Sequence, residues 1–97
     1  MKISNYPNPF NLSDNSRSIA ATTISFNLPL NDHVEVAVYN LKGQKIKTLL
    51  NEYLKSGEQT VEWNGENKNG EKVSSGVYLY KVETSDWVES RKLLLVK

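Results

Sequence analysis

The chain has 97 residues, of which 38% are hydrophobic and 24% charged, and its formal net charge is +1. A chain of this length forms one domain with its own core. Its balanced charge excludes the strong positive field that attracts nucleic acid or an anionic membrane. The absence of cysteine excludes a disulfide framework and thiolate metal sites. No apolar run approaches the roughly 20 residues of a membrane-spanning helix, so we expect no membrane insertion.

The start of the chain lacks the pattern of a signal peptide. Met1 and Lys2 lead into the polar residues Ser4 and Asn5, whereas a signal peptide requires an apolar core at this point. If the domain is exported, we expect its signal peptide in sequence ahead of these residues. The chain, residues 1–97, is then interpreted as a single module excised from a longer exported protein.

The first motif is a stiff lead-in composed of Tyr6, Pro7, Asn8, Pro9, Phe10 and Asn11. Proline fixes its own φ and favours extended geometry in the residue before it. We expect a rigid segment in which the rings of Tyr6 and Phe10 cap the core; a polyproline II ligand is the alternative. Either X–Pro bond can adopt the cis form. The polar residues 12–17 predict a surface loop.

Two strictly alternating segments follow at residues 22–28 and 34–39, separated by Pro29 and a turn. Alternation of apolar and polar residues is typical of half-buried strands. The predicted inward residues are Ile24, Phe26 and Leu28 in the first strand and Val34, Val36 and Val38 in the second.

The next segment fits two patterns. Gly43 supplies the positive φ of a tight β connection, which favours a hairpin with a short strand at residues 45–50 and an irregular turn after it. The apolar residues between 46 and 54 also recur at helical spacing, so a helix at residues 47–55 stays open.

The second half of the chain is again rich in strands. Residues 59–64 predict a strand with Val61 and Trp63 on the core face. The Asn–Gly pairs Asn64–Gly65 and Asn69–Gly70 predict turns around a polar loop.

Residues 76–84 carry apolar or aromatic side chains on both faces, which indicates a central strand. A turn at Ser85 and Asp86 leads to a last strand at residues 88–97. The pattern predicts an all-β fold, an immunoglobulin-like antiparallel β-sandwich of about seven strands.

Candidate sites for chemistry are few. His33 is the only histidine, so serine-triad chemistry would depend on it alone, and we interpret it as a solvated loop residue. Calcium would need oxygen ligands from the polar loop, namely Asn64, Glu66, Asn67, Asn69 and Glu71. Carboxylates are few there and Lys68 lies among them, so we favour a plain loop with no metal or other cofactor.

The aromatic residues raise the question of carbohydrate binding. A sugar-stacking platform would have to use Trp63, Tyr78, Tyr80 and Trp87. We expect Trp63 and one of the tyrosines in the core, which leaves Trp87 as the exposed ring.

Several landmarks together are similar to a known family. They are the lead-in at residues 6–11, the strand at 22–26, the turn at 38–45, the segments at 61–65 and 69–78, and the final Arg91, Lys92, Leu93, Leu94 and Leu95. Over nearly the whole chain they resemble the type A C-terminal sorting domain of the type IX (Por) secretion system. That family is related to the immunoglobulin-like domain of the flagellar hook-capping protein. Asn64 and Glu66 depart from its more Asp- and Arg-rich loop, and residues 12–21 resemble an insert.

The resemblance implies a non-catalytic targeting module that directs an N-terminal cargo domain across the outer membrane. The implied partners are the outer-membrane translocon and a sortase-like peptidase, and the implied location is the periplasm in transit, then the cell surface or medium. The implied recognition residues are Gly76, Val77, Tyr78, Arg91, Lys92, Leu93, Leu94, Leu95, Val96 and Lys97. The implied structural positions are the lead-in, Gly43, Trp63, Gly65 and Gly70.

The last strand is expected at a sheet edge, where a partner strand adds to it by main-chain hydrogen bonds. A second copy of the chain can add in the same way and form an edge-strand homodimer. Alternatively, Leu93 and Leu95 are core residues, and the basic residues protect the edge from aggregation. Two other functions stay open: a structural module of the hook-cap type and a carbohydrate-binding accessory domain of a secreted hydrolase.

Overall fold

The computed structural model describes residues 2–6, 8–11 and 21–96, with only the backbone described for Phe10 and Asn11. The strands are β1 (Ile3–Tyr6), β2 (Phe10–Asn11), β3 (Thr22–Leu28), β4 (Asp32–Tyr39), β5 (Lys45–Leu54), β6 (Gly57–Trp63), β7 (Gly76–Glu83) and β8 (Val88–Val96). The predicted all-β, immunoglobulin-like sandwich is confirmed, and the two-residue β2 is an additional short strand within the lead-in. In the described part of the chain, no helix has the length and apolar character needed to cross a membrane.

The strands form two sheets. One has three strands in the order β1-β3-β6, and the other has five in the order β2-β8-β7-β4-β5. Neighbouring strands are antiparallel except for β2 and β8, which are parallel. The chain changes sheet after β1, β2, β3, β5 and β6, and such crossovers between sheets are typical of Greek-key sandwiches.

The core lies between the two sheets. Its buried residues are Ile3, Ile24, Phe26, Leu28, Val34, Val36, Val38, Trp63, Tyr78, Tyr80, Val82, Leu93 and Leu95. Every inward residue predicted for β3 and β4 is among them, because a strand with alternating side chains can bury its apolar set only by turning that face to the other sheet.

The strand predicted to be central is β7. It lies between β8 and β4 and pairs with both along most of its length. Tyr78, Tyr80 and Val82 are buried against the other sheet, while the alternate residues on the outward face are half-buried. Side chains on both faces therefore have restricted access to water, as the composition of this segment predicted.

The prediction for residues 45–55 was partly wrong. There is no turn after residue 50 and no helix, because β5 continues as a strand of ten residues to Leu54. Its pairing with β4 is irregular at two points, between Val36 and Ala37 and between Val38 and Tyr39. Such bulges twist a strand and change which side chains face inward. Ile46, Leu49, Leu50 and Leu54 consequently all pack on the core, which explains why their spacing imitates a helix.

Two aromatic residues hold the loop of residues 64–75 against the sandwich. The Trp63 indole donates a hydrogen bond to the Glu66 carbonyl at 2.9 Å, and the Tyr78 hydroxyl donates one to the Ser74 carbonyl at 2.6 Å. The two rings meet edge to face with centroids 5.6 Å apart. A tyrosine near the start of a strand that bonds back to the preceding loop is the tyrosine corner of immunoglobulin-like folds.

Candidate functional site

The predicted recognition residues of β7 and β8 lie side by side. Gly76 pairs with Leu95, Val77 with Leu94 and Tyr78 with Leu93. Because alternate residues of a strand point to opposite faces, this pairing divides the group into an inward set and an outward set.

The inward set belongs to the core. Leu93 and Leu95 are 1% and 0% exposed, and Tyr78 is 7% exposed. Their side chains cannot reach a partner while the domain is folded, so their contribution is to hold β7 and β8 in place. The interpretation of Leu93 and Leu95 as core residues is thus confirmed.

The outward set is accessible. Leu94 is 41% exposed, Lys92 is exposed and Val77 is half-buried. Arg91 is exposed too, but by the same alternation it lies on the face of Leu93 and Leu95 and pairs with Tyr80. It forms an ion pair with Glu89 of the same strand at 3.2 Å. Val96 is half-buried, and Lys97 lies outside the described residues.

The expectation of a free edge on the last strand was wrong for its second half. The outermost strand is β2, whose Phe10 and Asn11 pair with Leu95 and Val96. Just before them, the Asn8 side chain accepts a hydrogen bond from the Leu94 amide at 3.2 Å. Backbone groups that a partner strand would use are therefore already occupied by the lead-in, which blocks strand addition at this point.

The lead-in itself differs from the prediction. Tyr6 is 81% exposed and does not cap the core. The Asn8–Pro9 peptide bond is cis. The predicted roles of Pro7 and of the loop at residues 12–17 lie outside the described residues, as does the predicted packing of the Phe10 ring.

The glycine predicted to form the β4–β5 turn does so. Gly43 has a φ of +83°, a region that side-chain-bearing residues rarely adopt. The Asn40 side chain closes the same turn by accepting hydrogen bonds from the amides of Lys42 and Gln44, each at 3.0 Å.

The polar loop uses its oxygen atoms internally. The Asn64 side-chain oxygen accepts from the Glu66 amide at 3.2 Å, and that of Asn67 accepts from the amides of Asn69 and Glu71 at 2.9 and 3.0 Å. Lys72 forms an ion pair with Glu66 at 3.6 Å. Within the described residues there is no group of three or more acidic or histidine side chains that could hold a metal ion.

His33 lies on β4 instead of in a loop, and its side chain is exposed. Its Nε2 atom contacts the Asn51 side-chain oxygen. The neighbouring Asp32 accepts hydrogen bonds from Ser85, at 2.6 Å from the hydroxyl and 3.2 Å from the amide. The Ser85 hydroxyl bond holds the pKa of Asp32 below its usual value. The serine is thus paired with the carboxylate and not with the histidine, so these residues form no nucleophile–base pair.

The aromatic residues do not form a row on the surface. Trp63, Tyr78 and Tyr80 are all buried, which confirms Trp63 and extends the prediction of one buried tyrosine to two. Burial raises the pKa of Tyr80. Trp87 is 36% exposed. Buried rings cannot stack on a sugar, so three of the four candidates for such a platform are excluded.

Three residues beside the predicted surface were missed from sequence. Tyr39, Leu79 and Lys81 lie on the same outward face as Val77, and the Lys81 ammonium group is 4.8 Å from the centre of the Tyr39 ring. The alternation of residues 76–83 places Leu79 and Lys81 on the face opposite Tyr78 and Tyr80. These residues are therefore predictable from alternation, although they belong to none of the motifs.

Comparison with known proteins gives the family. The family model of the FlgD Ig-like domain matches residues 13–86, whereas no curated protein matches the chain. FlgD from P. aeruginosa is similar in structure, with a TM-score of 0.58 and 28% identity, over 74% of this chain and 57% of FlgD. PorZ, an essential surface component of the type IX secretion system of Porphyromonas gingivalis, has a TM-score of 0.62 and 21% identity, over 98% of this chain and 11% of PorZ.

These matches differ in what they establish. At 21% identity the likeness to PorZ shows the fold alone, and this chain spans only part of either solved protein. The family match is stronger, since it extends over residues 13–86 of the 97 and includes the central strand β7. The chain therefore belongs to the FlgD Ig-like domain family.

Proposed function

We propose that this domain is a non-catalytic sorting module that directs a cargo protein across the outer membrane through a type IX secretion system. It acts by protein–protein recognition. Its partners are the outer-membrane translocon, a sortase-like peptidase and the cargo domain that precedes it. It passes through the periplasm and ends at the cell surface or in the medium.

The observation that carries this proposal is the continuity of the outward recognition residues. Val77, Lys92 and Leu94 come from two separate sequence blocks, yet the register of β7 and β8 brings them together on one accessible face. Residues that serve only the core would not need this outward grouping. The likeness to PorZ adds support, because a sandwich of this fold occurs in a surface component of a type IX system.

The direction of the chain is compatible with a cargo at the N-terminal side. β1 runs antiparallel to β3, with Ile3 paired to Phe26 near the end of that strand. β2, which follows β1 after three residues, runs parallel to β8, and β8 brings Leu95 beside Gly76. A cargo ahead of β1 therefore lies at the end of the domain opposite Gly76, which leaves Val77 and Leu94 free to contact a translocon.

A structural module of the hook-cap type is the second candidate. It is favoured by the family match and by the 28% identity to FlgD over 74% of this chain. In that case the domain stabilises or spaces a larger assembly and carries no export information.

Co-purification distinguishes the two candidates. The tagged domain, residues 1–97, is incubated with detergent-solubilised outer membranes from a bacterium with a type IX system, and bound proteins are identified by mass spectrometry. We expect the translocon to be recovered. Membranes from a strain that lacks the translocon provide the control. Recovery of no translocon component, with the domain folded, would contradict sorting and favour the structural module.

A truncation of the last strand is unsuitable as a test. It would remove Leu93 and Leu95, which are fully buried, and the loss of each such side chain costs about 2–5 kcal/mol. The domain would unfold, and lost export would then say nothing about recognition. Substitutions at outward positions avoid this difficulty.

A further inference from the structure

We propose that the outward face of the five-stranded sheet docks on a protein surface that presents an apolar side chain flanked by carboxylates. The surface is centred on Leu79 and is called the Leu79 face; it consists of Tyr39, Val77, Leu79, Lys81, Lys92 and Leu94. This inference rests on the proposed function, because the partner is the translocon component that receives the domain.

The strand register places these residues in contact range. Leu79 lies between Tyr39 of β4 and Lys92 of β8 in one cross-strand row. Val77 and Lys81 are its neighbours on the same face of β7, two residues away in each direction. Leu94 pairs with Val77 and is therefore diagonal to Leu79. Side chains at such positions are close enough to form one surface.

The Leu79 face is more apolar than the outward face of the three-stranded sheet. Leu94 is 41% exposed, and Tyr39, Val77 and Leu79 are half-buried. The outward residues of the three-stranded sheet are, apart from Tyr6, polar or acidic: Ser4, Thr23, Ser25, Asn27, Glu58, Thr60 and Glu62. The two sheets share one core, so packing of the core does not explain why only one of them has apolar residues on its outward face. An exposed apolar patch of this kind is typical of an interaction site.

Positive charge surrounds this apolar centre. Lys81 and Lys92 belong to the face, and Lys42 is exposed on the adjoining turn. Within the described residues none of these three lysines forms an ion pair with a carboxylate. Two acidic residues lie on this outward face beyond Lys81, namely Glu35 and Glu83, and Glu35 is paired with Lys45 at 2.7 Å. A partner with carboxylates around an apolar side chain would complement this arrangement.

A cleft adjoins the face at Val77 and is suited to the apolar side chain. It lies between the β4–β5 turn and residues 75–78, with a volume of about 250 Å³. Leu41, at the tip of the turn, is 64% exposed and lines it, as does Lys42. The cleft thus combines an apolar wall with a cation at its rim, and an interface of this type has an apolar centre and a polar rim.

A protein fits these features better than a lipid surface does. The apolar residues belong to a sheet and are mostly half-buried, so they would not reach into the acyl region of a bilayer, as an interfacial anchor must. The cations are few, whereas binding to anionic lipids by charge requires a cluster of about four to eight. A partly apolar surface with a few cations around it is suited to another folded protein.

The test uses charge reversal on the whole chain. The double variant Lys81→Glu/Lys92→Glu changes the face, and the matched control Lys2→Glu/Lys55→Glu makes the same change of charge at exposed positions away from it. A third variant, Leu94→Ser, removes the most exposed apolar side chain of the face. Circular dichroism and thermal unfolding establish that each variant is folded. The probe is the type IX translocon purified in detergent, and the measurement is its Kd for each variant at low and high salt.

We expect the double variant to bind at least about tenfold more weakly than the wild type, and the control to bind normally. Leu94→Ser should weaken binding without changing its dependence on salt. Equal binding by all variants would overturn this inference and leave the sorting function intact. No binding by the wild type would overturn both. Equal affinity for protein-free phosphatidylglycerol vesicles, or a dimer that Leu94→Ser dissociates, would assign the face to lipid or to a second copy instead.

Discussion

The side chain of Asn8 takes the place of a strand residue beside Leu94. Its amide oxygen accepts the Leu94 backbone N–H at 3.2 Å, and its nitrogen lies 3.5 Å from the Lys92 carbonyl. The Lys92 carbonyl and the Leu94 amide are two residues apart along β8. A residue of a parallel neighbouring strand bonds a carbonyl and an amide with this same spacing. The backbone pairing of β2 begins at the next residue, Leu95. The lead-in thus completes the edge of the five-stranded sheet.

Asn8→Ala should loosen this edge. We expect faster hydrogen exchange at the Leu94 amide and a loss of about 0.5–1.5 kcal/mol in the free energy of unfolding, because the hydrogen bonds of the Asn8 side chain to the β8 backbone are removed. Asn8→Asp keeps the acceptor and should retain most of the protection. Asn27→Ala, an exposed change on β3, is the control. Unchanged exchange at Leu94 in Asn8→Ala would mean that the side chain does not protect the edge.

The tyrosine corner gives a second prediction. Tyr78→Phe removes the hydroxyl that bonds the Ser74 carbonyl and should lower the free energy of unfolding by about 1 kcal/mol. Trp63→Ala removes a fully buried ring and should lower it by about 3–5 kcal/mol. Both are measured by guanidinium denaturation.

The matched control for this pair is Tyr53→Phe, since Tyr53 is 64% exposed and its hydroxyl is accessible to water. Its effect should be close to zero. A loss as large in Tyr53→Phe as in Tyr78→Phe would contradict a special role for the corner.

The contact between Asp32 and Ser85 predicts a dependence of stability on pH. The Ser85 hydroxyl is the largest cause that lowers the Asp32 pKa below 3.8 in the folded state. A depressed folded pKa stabilises the protein above the unfolded pKa, and this contribution disappears as pH falls through the folded value. The wild type should therefore lose stability more steeply than Asp32→Asn between about pH 5 and pH 2.

Ser85→Ala removes the hydrogen bond that lowers the Asp32 pKa most, so it should reduce the loss of stability with falling pH. The other ionisable residues around the surface pocket beside Ser85, namely His33, Glu35 and Glu83, are kept in this variant. Denaturation curves at closely spaced pH values measure the slope for each variant. If Asp32→Asn loses stability as steeply as the wild type, other carboxylates dominate the acid response.

The sequence predicted the sandwich because its strands alternate in the simplest way. Ile24, Phe26 and Leu28 could be placed in the core from period alone, as could Val34, Val36 and Val38. β5 was different, since two bulges against β4 shift its inward residues, and a bulge depends on pairing that a single segment does not reveal.

The candidate surface could be predicted only in part from the sequence. The motif residues of β7 and β8 were identified, but their division into buried and outward sets follows from strand register, which fixes both strands at once. The role of Asn8 could not be predicted, because it depends on a contact with Leu94, a residue 86 positions away. Leu79 and Lys81 were predictable from alternation along β7 and were missed because they belong to no motif.

Export of a reporter tests the central claim most directly. Residues 1–97 are placed behind a signal peptide and a periplasmically folding reporter in a host with a type IX system, and protease-accessible reporter is measured on intact cells and in the medium. The account predicts reporter outside the outer membrane, dependent on the translocon and absent without the domain. A folded fusion that stays in the periplasm would contradict sorting and support the structural module.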